Sequence, residues 1–383
     1  MRDLRVIVVG GGIGGLAAGI ALRRAGFSVE IYERAPEIQP VGFAVCLWPN
    51  GAKAMDSLGL GAAMDAVSPH LSAMRLLDTQ GEPIAHMPVD GLVERTGHRP
   101  YPVTRAELLD VLIQCFGADH LHLASECVGV EQDDDGVTAV FSDGRRVEGD
   151  LLVAADGARS HVRSTLTGDV PLATIAAGWE TLLPIDEDIS RPDEFTMWIG
   201  ASRRAATMVV SQRRFYTFFD VPPADDHGIG VADPRETLRG EFEDFGDSVQ
   251  RLISMLDPAL VTPLLYQDFE GLESFVFGRV VLLGDAAHAT TPYLGQGAAQ
   301  AIEDGIVLAH HLQTIDTGLP AALARYDTER RSRTQEIVQG ARATAERVVG
   351  AHEDAASWRE SLRTSGWDFF ERLEQISREG PLR

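Results

Sequence analysis

Apolar residues arrive along this chain in short unbroken runs punctuated by glycine. "LRVIVV" (4–9) is rich in branched residues and too short for a buried helix, so it predicts a strand covered on both faces. The glycines of "GGGIGG" (10–15) then turn the chain, and "GLAAGIALRRA" (15–25) carries apolar residues at helical spacing, with Gly26 as its C-terminal cap. "SVEIYE" (28–33) returns as a second parallel strand, which completes a strand–helix–strand unit.

The period changes to two further on. "CVGVEQ", "GVTAVF" and "RRVEG", divided by "DDDG" and "SDG" turns, predict a meander between 127 and 149, and "DLLVAADG" (150–157) is again a buried strand. Residues 172–222 are rich in β-formers, with "RRAATMVVS" and "RFYTFFDV" pairing across a short loop. "RVVLLGD" (279–285) restores the N-terminal strand type, so the chain leaves its first domain and re-enters it after about residue 275. From 298 onward the pattern is mainly helical, and the charge-rich "RYDTERRSRTQE" (325–336) reads as a solvated face.

The fold expected is therefore α/β. A discontinuous, Rossmann-like nucleotide-binding domain with a β-meander takes 1–70, 100–171 and 276–318, a second β-sheet domain for the substrate takes 71–99 and 172–275, and C-terminal helices take 319–383.

Composition removes several classes. A formal charge of −23 over 383 residues argues against nucleic acid or an anionic membrane surface as a partner, since either needs a basic face, although local basic spots remain open. No apolar run approaches the roughly eighteen residues that a membrane span needs. Cys46, Cys115 and Cys127 are odd in number and widely spaced, which suggests neither a disulfide framework nor a zinc site and fits a reducing cytoplasm. No metal site is expected, "HH" at 310–311 having no partners at ligand spacing.

Gly10, Gly12 and Gly15 satisfy G-x-G-x-x-G, with Gly14 inside the motif. Three glycines alone are weak, but these follow a buried strand, open a helix and precede Glu33 and Arg34 at the end of the next strand, where a carboxylate can accept both hydroxyls of a ribose. A second stretch, "GDAAHATTPYLGQGAAQAIEDG" (284–305), ends a buried strand in Gly-Asp and passes through a nearly bare glycine turn into a helix, an arrangement that brings backbone N–H groups toward an anionic group.

These two motifs, with "ADGARSHVR" (155–163) and Arg105 in "VTRAELL", resemble the single-component, FAD-dependent aromatic hydroxylases of the para-hydroxybenzoate hydroxylase type. The resemblance implies FAD as cofactor, NADH or NADPH as electron donor, and dioxygen as oxidant through a flavin C4a-hydroperoxide. By the same resemblance Asp285 holds the ribityl chain, Arg105 neutralises the pyrophosphate, and Asp156, Gly157 and Arg159 lie where cofactor and nicotinamide are both handled. Gly295, Gly297 and Ala298 would direct N–H groups and a helix dipole at the pyrimidine edge of the flavin, with Pro292 closing the pocket beside the ring. Ala299 stands where the family often has Asn.

"VCLWPNGAKAMDSLGLG", "LVERTGHRPYPVTRAELL", "GWETLLPIDED" and "RFYTFFDVP" are similar to the bacterial FAD-dependent urate hydroxylases, whose substrate-holding Arg and Tyr fall on Arg204 and Tyr216. A three-residue loop at 211–213 puts these two on one face of the hairpin, and a two-residue loop puts them on opposite faces. Gly178 and Tyr293 replace an Asn and an Asp of that group's substrate pocket, which opens a less polar aromatic acid, of salicylate or hydroxybenzoate type, as an alternative to a purine. A flavin-bearing binding protein without turnover is the alternative from another class, and the protein is expected as a monomer or homodimer. His288 is read as a histidine packed in a turn, and Glu303-Asp304 as helix surface or a structural contact.

Overall fold

The computed structural model describes residues 4–38, 42–223, 233–314, 318–350, 362 and 368–381. Its first sheet has six strands, in the order Val276–Phe277, Val280–Leu282, Leu151–Ala154, Arg5–Val9, Ser28–Tyr32 and Leu121–His122. All neighbours are parallel except the first pair. The central strands carry branched apolar residues on both sides because both faces are covered. Ile7 points to the meander, whose Gly149 has room for no side chain beside it, while Val8 points to the helix Ile13–Arg24. That helix crosses Gly297–Thr314 so closely that a Cβ on Gly305 would lie 2.6 Å from Ala18 Cα.

The second sheet has seven strands: Thr262–Asp268, Ala173–Pro184, Arg214–Val221, Arg204–Val210, Glu194–Ile199, Ala73–Asp78 and Pro83–Pro88. One face, with Trp179, Trp198, Phe215 and Phe219, packs on the helices Pro234–Glu241 and Asp247–Ser254. The opposite face carries Phe195, Met197, Met208 and Phe218, and it meets Trp48 and the C-terminal helix Phe369–Arg378. The re-entry of the chain through "RVVLLGD" is present, since Val280–Leu282 pairs with Leu151–Ala154 in the first sheet.

The long helix Leu319–Val349 corrects the solvated reading of 325–336. Tyr326, Arg330 and Thr334, one helical turn apart, are buried against Gly297–Thr314. Arg330, 0% exposed, donates from Nε to Asp304 Oδ1 (2.6 Å) and from Nη1 to Glu303 Oε2 (3.0 Å), so its charge enters the core already matched. The carboxylates of Glu303 and Asp304 are likewise buried, a structural contact and not helix surface. Residues 351–361, 363–367 and 382–383 of the expected C-terminal helices lie outside the described residues.

Candidate active site

The two sheets close on one cavity of about 460 Å³, and each contributes one half of it. The nucleotide half begins at the glycine turn. Gly10 has φ +109°, and a Cβ there would lie 2.3 Å from Ala155 O. Gly15 is excluded from bearing a side chain by Gly10 O. Gly12, by contrast, faces space with no atom within 4 Å of where its Cβ would be, and it lines the cavity with Gly14. The first turn is thus squeezed against its own strand on one side and open on the other.

Thr104 caps the helix Arg105–Phe116, accepting from Glu107 N, and so sets Arg105 at the cavity wall. Arg105 Nε is buried and has no hydrogen-bond partner, a donor waiting for an acceptor. Asp285, exposed to the cavity, opens a short helix at the end of Val280–Leu282. Gly157, Pro292, Gly295, Gly297 and Ala298 line the same half. Gly295 adopts φ +62° and can carry no side chain because Trp48 Nε1 would stand 2.5 Å from its Cβ. An open glycine cradle, an unsatisfied guanidinium and a helix N-terminus fit a dinucleotide-sized anion.

Four sequence-predicted residues are placed differently from these. Glu33 folds over the turn and accepts from Gly11 N (2.7 Å) and Ala35 N (2.9 Å). Arg34 is exposed beside it. Asp156 turns away to accept from Ser160 Oγ and Val162 N at the start of the helix His161–Thr167. Arg159 reaches Gln267 Oε1 at 3.1 Å.

Sequence reasoning missed Arg163 and Asn50, two struts of this half, but read His288 as packed in its turn. Buried Arg163 donates to Ala286 O and Ala158 O, tying the two nucleotide-side turns together. Asn50 donates to Gln296 Oε1 and Glu303 Oε1, which fixes the Gly-Gln-Gly turn from the helix Pro49–Ser57. Ala299 is buried where that helix approaches at Gly51. His288, buried in its turn, bonds Asp304 Oδ2 through Nε2 at 2.6 Å. The signal for these was the polar residue inside each glycine-rich motif, whose side chain had no solvent to face.

The substrate half lies on the second sheet. The loop Ser211–Arg213 has three residues, Val210 pairs with Arg214, and Arg204 and Tyr216 consequently share the cavity face. Directly across from Arg204 stands Asp220, which the sequence reading did not single out. Arg204 donates from Nε and Nη2 to Asp220 Oδ2, and its guanidinium lies over the rings of Phe218 and Tyr293 at 4.9 and 4.7 Å. Tyr293 is buried, with its hydroxyl unpartnered.

Gly178 does not reach the cavity. A Cβ there would lie 2.8 Å from Tyr266 Oη, because the Tyr266 ring leans over it to hydrogen-bond Glu180 Oε1 at 3.3 Å. Glu180, 7% exposed, is the second residue missed. Burial pushes its carboxyl up to about 7 and Asp220 adds to this, against the hydrogen bonds of Tyr216 and Tyr266 and the charge of Arg105. Burial also raises the Asp220 carboxyl, with Arg204 opposing. From the C-terminal helix, Phe369 closes the cavity.

A parallel sheet with an open glycine turn, joined to a β-sheet that walls off a buried polar pocket, defines a two-sheet flavoprotein fold. Residues 3–341 match the family model for the FAD binding domain, and the chain belongs to that family of flavoprotein monooxygenases. The FAD-dependent urate hydroxylase of Klebsiella pneumoniae is 40% identical over 370 residues, 94% of each chain. Aurachin C monooxygenase/isomerase of Stigmatella aurantiaca is 35% identical over 362 residues, 94% of this chain and 93% of that one. The crystal structure of Klebsiella pneumoniae HpxO complexed with FAD and uric acid superposes with a TM-score of 0.92 at 36% identity, over 99% of this chain and 98% of that one. The protein is an FAD-dependent, urate-hydroxylase-like monooxygenase acting on a small molecule. Among the described residues no helix is long and apolar enough to cross a membrane.

Proposed function

We propose that this chain uses NADH or NADPH, dioxygen and bound FAD to hydroxylate a small electron-rich aromatic or purine ring. The observation that carries the reading is the cavity shared by the glycine cradle and the Arg204–Glu180 face, which has room on its two sides for a redox group and a ring substrate next to each other. Bound FAD, reduced by the nicotinamide and reoxidised by dioxygen, would supply one electrophilic oxygen atom, the other leaving as water.

The chain's own residues do the rest. Glu33 would accept from the ribose hydroxyls on the lone pairs left free by Gly11 and Ala35, Arg105 would offer its idle Nε to the pyrophosphate, and Asp285 would accept from the ribityl chain. Gly297 and Ala298 offer the first amides of an eighteen-residue helix to the ring's electron-rich edge. Tyr216 and the Arg204–Asp220 pair face the substrate, while Met197, Met208, Phe218 and Phe369 exclude water that would divert the oxygen.

The test is NADH and NADPH oxidation by the purified FAD-loaded protein with urate, hydroxybenzoates and salicylate, together with labelled dioxygen. Substrate-stimulated oxidation and labelled product are expected. A rate indifferent to every ring, with no label incorporated, would overturn the reading in favour of a flavin-bearing binding protein.

A further inference from the structure

Resting on that reading, the charges in the cavity narrow the substrate class. The charged side chains lining it, among the described residues, are Arg105, Arg204, Glu180, Asp220 and Asp285. Arg105 and Asp285 belong to the nucleotide half, so Arg204 is the cation on the substrate side. Its Nε and Nη2 are both committed to Asp220 Oδ2, and aromatic rings face it on two sides. Nη1 touches only the Met197 sulfur, at 3.8 Å, and keeps its donors, but the guanidinium's charge is already matched by Asp220 before any carboxylate or ring oxyanion arrives.

What this half offers beside its tyrosine hydroxyls is two carboxylates. Asp220 Oδ1 is buried, with the hydroxyls of Tyr266 and Tyr293 as the polar groups that face the carboxyl besides Arg204. Glu180 forms no ion pair among the described residues; its carboxylate faces the hydroxyls of Tyr216 and Tyr266, the latter donating to Oε1 at 3.3 Å, while Oε2 lies 3.8 Å from where a Cβ on Gly42 would be, toward the nucleotide half. The remaining wall is apolar, with Met74, Phe195 and Leu264. An anion entering here would lose its hydration and meet two carboxylates and one neutralised cation.

We propose that the substrate is an uncharged, largely apolar aromatic ring bearing an acidic O–H or N–H, and that Glu180 is the catalytic base receiving that proton. The proton passes from the ring oxygen or nitrogen to the Glu180 carboxylate, and the electron pair it leaves behind makes the adjacent ring carbon nucleophilic toward the electrophilic oxygen. The displaced C–H proton goes to the second oxygen atom, which leaves as water; aromaticity returns, and Glu180 gives its proton back to the ring heteroatom. Dioxygen remains the oxidant and the nicotinamide the reductant. A carboxyl held near neutrality by burial is suited to both directions of transfer. The groups that face it are Tyr216, Tyr266, Asp220 and Arg105, and of these only Arg105 carries positive charge.

The experiment uses FAD-loaded protein and a matched pair of probes, a methylnaphthol and the hydroxynaphthoate carrying a carboxylate in place of the methyl, with urate as a second anion. Binding is read from the flavin difference spectrum and turnover from NADH oxidation, between about pH 5.5 and about pH 9. The methylnaphthol should bind about tenfold or more tightly than its charged twin, an uncompensated buried anion costing at least that much. Its kcat/KM should rise through neutrality, and Glu180→Gln should abolish that rise and lower kcat/KM about a hundredfold with FAD content unchanged. Asp220→Asn, which releases the Arg204 charge, should shift preference toward the hydroxynaphthoate.

The inference is overturned if the hydroxynaphthoate or urate binds more tightly than the methylnaphthol in the wild type. It is overturned equally if Glu180→Gln keeps the wild-type rate and pH profile. Should no probe of either charge perturb the flavin or accelerate NADH oxidation, the hydroxylase reading itself fails, an outcome distinct from anion preference.

Discussion

Glu180→Gln should stabilise the protein, and only above acidic pH. The ordinary carboxyl value is 4.5 and the folded value is about 7, so the fold favours the protonated form. Between those values the native state holds a proton that the unfolded chain has released, and stability therefore falls as pH rises through this window. Below it both states are protonated, and above it both are ionised, with the full penalty in place. The span is about 2.5 units at about 1.4 kcal/mol each, which puts the cost of ionised Glu180 at about 3.5 kcal/mol near pH 8. Glutamine has the same shape, can still accept from Tyr266, and never ionises. The assay is urea denaturation of wild type and variant, followed by far-UV circular dichroism, in steps from about pH 4.5 to about pH 8.5. The variant's advantage should be smallest at the acid end and grow by about 3 kcal/mol toward the alkaline end, with unchanged m-values. A difference that is flat with pH, or that shrinks as pH rises, would refute the claim that Glu180 is ionised at a cost inside the folded cavity.

Other perturbations read separate parts of the structure. Arg330→Met should cost roughly 3–5 kcal/mol by stranding Asp304 and Glu303, and a urea midpoint shifted by less than about 1 kcal/mol would show that these charges find other partners. Asp285→Ala should weaken FAD by about 1–3 kcal/mol in a fluorescence titration, whereas unaltered affinity would remove Asp285 from the cofactor's contacts. Gly178→Asn should be destabilising because its Cβ would meet Tyr266 Oη and Phe219 O. Combined with Tyr266→Ala it should be less damaging than the sum of the two changes by about 1 kcal/mol, and strict additivity in thermal unfolding would mean that the two positions do not share the space.

What the sequence disclosed and what it hid divide by the range of the causes. The glycine turn, its flanking strands and the meander follow from local periods and turn residues, and they appear where the pattern puts them. The face shared by Arg204 and Tyr216 depended on one residue of loop length, and Arg213, with φ +53°, supplies the third loop position. Arg330 looked solvated because its neighbours are charged; its burial depends on Glu303 and Asp304, which come from another helix. Glu180 was legible in principle. It alternates with Gly178 and Leu182 in a strand with no other acidic residue, and a lone carboxylate on an otherwise apolar strand face needs a reason.

The departures at 178 and 293 make physical sense only together with residues elsewhere in the pocket. Without a side chain at Gly178 the sheet would hold a void, and the Tyr266 ring fills it; with one, Tyr266 could not reach Glu180. Tyr293 cannot supply the charge that an Asp at that place would give Arg204. It lies against the guanidinium as a ring instead, and Asp220, two strand positions beyond Phe218, provides the charge. Arg204 is therefore present without a free charge, and each compensating group faces the same cavity. An arginine already matched by Asp220 attracts less than a free one would, and on the proposed reading the Glu180 and Asp220 carboxylates favour a ligand that donates.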